Sequence, residues 1–383
     1  MLQIDHIYEF LSNTVFKDFS VFTLPNGVPQ IKQYLIKEDM YIFNSDNVSK
    51  KMFLWDQEPV TQPIVNQYYD QIFKQEHTDK IPTAFVTSEK SQEIDNFVNK
   101  NNLNNLYYFF HGFAALDWYR GFYALNYNKP IVRKQKDFIT FNRIISEDRS
   151  YRIYFISQLA KHNLLDKGLV SFGVTDDQRH WRDELEHNTK SKLSDHARQE
   201  IWNILPDLSN RLIIDKANVL GSSSADVIRS AWNFDIDAFW HVVTETVFYY
   251  DKLHLTEKIF KPIVSKQPFM LIGAPGNLKY LKSYGFKTFD SVIDESYDNI
   301  QDNDARIDAV IKQLNWYSNL SDSDKLDVMK KLEPIIEYNF HHFYGKFKEI
   351  IVDELITNCK NLFTEIDHQH DVDFDLIKKI LLN

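Results

Sequence analysis

Cysteine is almost absent from this chain: Cys359 stands alone, so no internal disulfide can form and nothing argues for an oxidising compartment. Positive charge is not in excess either. The net charge of -10 is a poor footprint for a surface that grips nucleic acid throughout, because phosphate neutralisation needs clustered Lys and Arg. No apolar run approaches the roughly 20 residues that span a bilayer. The opening stretch Met1–Phe19 lacks the basic start and unbroken apolar core of a signal peptide. These absences predict a cytoplasmic protein with no integral membrane segment. Also missing are a G-x-G-x-x-G fingerprint, a P-loop, a serine nucleophile elbow and zinc-ligand spacing.

What is present is 43% hydrophobic and 15% aromatic content over 383 residues, enough for one or two full cores. Short apolar runs alternate with helical patterns: YIFN, MFLW, TAFVTS and LYYFF in the first third, then FITFNR, LVSFGV, RLIID, the long AFWHVVTETVFYY and PFMLIGA. Such alternation predicts parallel sheets covered by helices, with ligands beyond the carboxyl ends of the strands. Helical patterns such as EKIFKPIVSK and GNLKYLKSYG intervene, and helix signals dominate from about Ala305 onward, through the run KLDVMKKLEPIIEYNFHHFYGKFKEIIVDELI. The expected organisation is an α/β domain over 1–130, a second over 131–345 and a helical tail over 346–383. Two α/β domains joined by a linker make a cleft, a common ligand site. The linker itself carries Lys129, Arg133, Lys134 and Lys136, a candidate local basic patch whose alternative reading, the commoner one for a charge run, is a solvated linker.

The stretch richest in chemistry holds Thr244-Glu245-Thr246 and Leu255-Thr256-Glu257-Lys258. Thr256 is a good N-cap before a helical pattern, which puts Glu257 and Lys258 in a first turn where unpaired N–H groups and the positive dipole end favour anions. Glu245, at the end of the preceding strand, is placed to bond a ribose hydroxyl. The set suits a nucleotide diphosphate, although a capped turn with Glu and Lys is also a common structural feature.

These clusters resemble the donor-binding signature of the α-1,3-fucosyltransferase type, with Val243-Thr244-Glu245-Thr246 where that family has Phe-Glu-Asn-Ser and a slightly longer gap before Thr256-Glu257-Lys258. Phe141-Asn142-Arg143 and Arg152-Ile153-Tyr154-Phe155 are similar to the same family's Ser-Asn…Arg-x-x-Phe segment. The resemblance covers mainly 137–300, with an echo in MFLWDQEP. Across most of its length the chain also resembles glycosyltransferase-like proteins of tailed bacteriophages, through the runs DQEP, HGFAALDWYRG, LTEKIFKPI and DESYD.

The resemblance implies a GT-B architecture, two Rossmann-like domains facing across a cleft, working without a metal or a resident cofactor in the cytoplasm of an infected host cell. It implies a GDP- or UDP-sugar co-substrate held by Arg152, Asn142, Glu245, Thr256, Glu257 and Lys258. Arg152 would contact the diphosphate. Glu58 would be the catalytic base of an inverting transfer, with Asp56 second. His111, Asp117, Trp118 and Arg120 are candidates to line the acceptor site, where an aromatic ring stacks well on a sugar or a base. The acceptor is a glycan, or alternatively a hydroxymethylated base of phage DNA; a non-catalytic sugar-binding or interaction module is the third reading.

Four further patterns stand outside that set. Gly273-Ala274-Pro275-Gly276 is a candidate to shape the donor pocket, and Asp294–Asp298 reads as a strand-to-helix connection, with Glu295 a candidate for donor contact. Asp235-Ile236-Asp237 has a D-x-D form, and His341, His342, His368 and His370 occur near the end, but neither set completes a cation site.

Overall fold

The computed structural model describes residues 10–11, 13–23, 35–37, 40–43, 50–56, 59–60, 65, 83–132, 134–142, 144–172, 181–187, 191–205, 238–366 and 372–382. The chain forms two compact units, one made of 1–117 with 345–383 and the other of 118–344. Residues 346–383, a separate tail by sequence pattern, cluster with the amino-terminal third.

The first unit holds β1 (Phe19–Thr23), β2 (Leu35–Lys37), β3 (Met40–Phe43), β4 (Lys50–Trp55), β5 (Thr83–Thr87), β6 (Lys90–Ser91) and β7 (Asn104–Tyr107). Six of these make a sheet in the order β2-β3-β1-β4-β5-β7. The run β1, β4, β5, β7 is parallel, with Val21 opposite Met52, Phe53 opposite Phe85 and Val86 opposite Leu106; β3 runs antiparallel to β1, and β2 to β3. Interior parallel strands are covered on both faces, which is why Met52–Trp55 is apolar without alternation and entirely buried.

One face of this sheet carries Phe53, Trp55 and Phe85, packed with Ile94 and Phe97 of helix Gln92–Asn101. Burying each such ring contributes about 1.5–3 kcal/mol. The helix starts where Ser91 accepts a hydrogen bond from the Ile94 amide at 3.4 Å and stops at Asn102, whose φ of 50° is left-handed. Helix Lys346–Glu365 also packs on this unit: Asn358 donates to the Tyr107 carbonyl at 2.7 Å, Phe363 stacks on Phe19, and Phe347 and Ile351 lie against Gly112.

The second unit holds β8 (Lys136–Asn142), β9 (Gly168–Phe172), β10 (Ala238–Thr244), β11 (Lys252–Leu253) and β12 (Phe269–Ile272). Its sheet has the order β12-β10-β8-β9 and is parallel throughout, with His241 opposite Ile139 and Phe269, and Thr140 opposite Val170. All seven residues of β10 are buried, and so is every residue from Tyr151 to Leu159 of helix Tyr151–Lys161. Gly168 passes close to the Phe138 ring, where a Cβ would come within 2.5 Å of it. Helices Asn303–Ser318 and Asp322–Tyr344 complete the unit.

The mixed α/β expectation with parallel sheets and a helical carboxyl-terminal region is met. Three elements differ from their sequence pattern. The apolar run AFWHVVTETVFYY is strand only to Thr244, and Val247 and Phe248 beyond it are buried outside any strand. The long helical run near the end is broken at Gly345 into two helices that belong to different units. The helix expected after Thr256 is a 3-10 turn, Glu257–Ile259, followed by the short helix Phe260–Val264.

Candidate functional site

In the second sheet the chain passes from β8 to β9 on one side, then returns past β8 to β10 on the other. The order reverses between β8 and β10, so the crevice at their carboxyl ends is where an open parallel sheet offers a ligand site. Asn142 and Thr244 are the last residues of those strands, and Thr244 Oγ1 donates to the Phe141 carbonyl at 3.0 Å to tie them together. Asn142 is fully buried: its Nδ2 donates to Thr140 Oγ1 at 3.2 Å, while its Oδ1 has no hydrogen-bond partner.

Glu245 follows at 0% exposure. Its Oε2 accepts from Thr256 Oγ1 at 2.6 Å and from the Thr246 amide at 3.3 Å, and its Oε1 accepts from the Thr256 amide at 3.2 Å. A buried carboxylate needs such partners. Here they fix the Thr256 turn onto the end of β10. Thr256 Oγ1 in turn accepts from the Lys258 amide at 3.4 Å. The Lys258 ammonium donates to Thr246 Oγ1 at 3.2 Å, Thr256 Oγ1 at 3.1 Å and Glu257 Oε1 at 3.2 Å, with 38% of its side chain exposed. The result is a cluster of two threonine hydroxyls, two carboxylates and one accessible cation. The turn is too short for a strong helix dipole, so the attraction for an anion rests on Lys258 itself.

Arg152 sits at the same edge but is buried and turned inward. It donates to the carbonyls of Ile144 at 2.9 Å, Thr244 at 2.9 Å and Glu245 at 3.2 Å. Beside it the Tyr151 hydroxyl donates to the Glu245 carbonyl at 2.5 Å, and burial, partly offset by Arg152, holds that phenol above its usual range and so protonated. Both side chains hold the main chain that presents Glu245.

At the first sheet, Glu58 and Gln57 lie outside the described residues. Asp56 is buried at the end of β4 and accepts a hydrogen bond from the Tyr108 hydroxyl. Glu89, just beyond β5, is buried too: Oε2 accepts from the Val60 amide at 2.9 Å and Oε1 from Ser91 Oγ at 2.7 Å. Tyr108 thus fixes Asp56, and Glu89 fixes the Val60 main chain. Neither residue is singled out by sequence pattern; the available signal was a polar Ser88-Glu89 directly after an apolar strand.

His111 and Asp117 are buried within helix Phe110–Trp118, Trp118 is half-buried and Arg120 is exposed. The first two belong to the first unit and the last two to the second. Glu295 accepts from Thr288 Oγ1 and the Phe289 amide, both at 2.6 Å, and from Lys282 at 3.3 Å, and burial pushes its carboxyl above the usual range. Gly273 gives its carbonyl to Arg306 at 3.1 Å, and Gly276, with φ of 81°, takes a conformation suited to glycine. Asp235, Asp237, His368 and His370 lie outside the described residues. Among those described, no group of three or more His, Cys, Asp or Glu side chains is placed to hold a metal, and no helix is long and apolar enough to cross a membrane.

No protein-family model matches the sequence, and no curated protein matches it. Among solved structures the chain is similar to a Candida albicans trehalose-6-phosphate phosphatase N-terminal domain, at 10% identity and a TM-score of 0.35, over 79% of this chain and 70% of that one. A likeness that loose carries no argument about function.

Proposed function

We propose that this protein is a glycosyltransferase that moves a sugar from a nucleotide-sugar donor, a GDP- or UDP-sugar, to an acceptor hydroxyl, as a metal-independent inverting enzyme of the GT-B class. The supporting observation is the convergence of Asn142, Glu245, Thr246, Thr256 and Lys258 at the order reversal of the second sheet. In this reading the 118–344 unit binds the donor. Lys258 and the Thr246 hydroxyl take the diphosphate, Thr256 holds the turn on Glu245, and the Glu257 carboxylate, displaced from Lys258 by the incoming phosphates, is released toward the ribose hydroxyls. Arg152 and Tyr151 act as positioning residues.

In the transfer, the acceptor oxygen attacks the anomeric carbon as the bond from that carbon to the diphosphate breaks. The acceptor proton passes to a carboxylate, and Glu58 is assigned that role because Asp56 already accepts from Tyr108. The nucleoside diphosphate leaves carrying the bonding electrons. Lys258 stabilises its growing charge.

Thermal-shift titration with nucleoside diphosphates and their sugars tests the donor site directly. Lys258→Ala weakens donor binding about ten- to a hundredfold, the range for a hydrogen bond to a charged group. Glu58→Gln leaves donor binding in place and lowers turnover about 10²–10⁴-fold. Absence of stabilisation by every nucleoside diphosphate rejects the donor site, whereas normal turnover in Glu58→Gln rejects only the base.

A further inference from the structure

Two features coincide on the segment that opens the second unit. From Trp118 to Lys136 the sequence holds no Asp or Glu, and its described residues include Arg120, Lys129, Lys134 and Lys136, in a chain of net charge -10. Of the eleven exposed large hydrophobic residues among those described, four lie within this stretch: Tyr123 at 39%, Leu125 at 67%, Tyr127 at 47% and Val132 at 47%. Single exposed apolar residues need no explanation, but four within ten consecutive residues call for one.

The cluster is held in place. In helix Phe122–Asn126, Phe122 and Asn126 face inward, four positions apart: Phe122 packs edge-on against Tyr119, and Asn126 Nδ2 donates to the Val264 carbonyl at 2.7 Å. The intervening Tyr123, Ala124 and Leu125 are turned to solvent, as is Tyr127. The Tyr123 ring stacks on Phe340 and the Tyr127 ring meets His341 edge-on. Buried Lys266 donates to the Tyr127 carbonyl at 2.9 Å and the Lys129 carbonyl at 3.5 Å and pairs with Glu337 at 2.8 Å, so that acid is neutralised beneath the platform.

We infer that this segment is a peripheral docking surface for an anionic lipid bilayer. Lys and Arg beside exposed Tyr, Leu and Val is the composition that an interface of headgroups and upper acyl chains accommodates: cations meet lipid phosphates, tyrosines sit at headgroup level and aliphatic tips enter below. Duplex DNA would use the cations and leave Leu125, the most exposed of the eleven, without a partner. The inference stands apart from sugar transfer and would place the enzyme on a surface where lipid-linked or envelope acceptors are found.

Co-sedimentation of the full chain with phosphatidylcholine vesicles, with and without added phosphatidylglycerol, is the test. The expected result is binding to the anionic vesicles alone, weakening as salt is raised. Lys129→Ala lowers the affinity about fivefold, the equivalent of the roughly 1 kcal/mol that each surface cation contributes. Leu125→Asp or Val132→Asp, at exposed positions that leave the melting temperature unchanged, lowers it at least as much. Failure to bind anionic vesicles at low salt overturns the proposal, as does vesicle binding that none of these variants weakens. Binding of a DNA duplex in place of vesicles, lost in Lys129→Ala, overturns it in favour of a nucleic-acid face.

Discussion

The Arg152 guanidinium bonds three main-chain carbonyls at the ends of β8 and β10, whereas Lys258, on the turn that Glu245 anchors, keeps its ammonium within reach of solvent. The two basic residues therefore respond differently to removal. Arg152→Ala leaves buried carbonyls unsatisfied and lowers unfolding free energy by about 2–5 kcal/mol in a urea titration. Lys258→Ala, losing a half-exposed ion pair, costs about 0–1 kcal/mol and acts on ligand binding instead. Histidine adds a pH dependence. Burial, reinforced by the Lys261 ammonium, holds His241 well below the usual histidine range, and burial lowers His342 as well. The unfolded chain then takes up protons below about pH 6.5 that the native state refuses, so stability is complete above that pH and lost as pH falls. Each histidine contributes a slope of up to about 1.4 kcal/mol per pH unit, and His241→Gln shows a shallower fall of melting temperature between pH 7 and 5 than the parent. Buried Glu295 and Asp298, whose carboxyls are raised, act oppositely in the more acid range, which makes the parent-minus-variant difference the quantity to read. Sequence pattern brought Arg152, Glu245 and Lys258 to notice. The direction in which Arg152 turns was not legible, because its acceptors lie up to 93 positions away and are main-chain atoms that every residue carries.

Helix Asn303–Ser318 acts on the sheet edge through one side chain. Arg306 donates to the carbonyls of Gly273, Ile300 and Phe248 at 3.1, 2.7 and 2.9 Å, and its guanidinium lies over the Phe248 ring. Burial lowers its pKa to about 10, still leaving it charged at neutral pH. Arg306→Met removes every donor at once and is expected to cost about 3–5 kcal/mol, read by denaturant unfolding, with faster amide exchange around Phe248 and Gly273. After helix Asn277–Ser283 the chain turns at Gly285, whose φ is 89° and whose Cβ would meet the His342 ring at 2.8 Å; Gly285→Ala therefore combines a left-handed strain with a clash and destabilises by about 1–3 kcal/mol. At this scale much was legible: MFLW, TAFVTS, FITF and PFMLIG each became a buried strand, since a parallel strand covered on both faces must be continuously apolar. Where the pattern misled, as in AFWHVVTETVFYY, apolar residues beyond Thr244 pack as a loop; Phe248 stacks on Tyr151 at 4.1 Å, burial that hydrophobicity alone does not distinguish from strand.

The first unit is completed by the far end of the chain, since Phe347, Ile351, Asn358 and Phe363 cover its sheet and helix ends. Deleting 346–383 is expected to speed amide exchange across β4 and β5 and leave β10 and β12 protected, a contrast visible in hydrogen-exchange mass spectrometry. Sequence pattern carried the helices of this region but not their destination, because amphipathic faces specify that a surface must be covered and not which one covers it.

That discontinuity also sets an order of events on the ribosome. Residues 118–344 emerge as an uninterrupted stretch and can close their core while synthesis continues, but residues 1–117 must wait, with a partly uncovered sheet, until residues 345–383 have emerged. Residues 1–117 thus precede 118–344 in synthesis and follow them in completing their fold, and during that interval the Phe19 ring lacks its Phe363 partner.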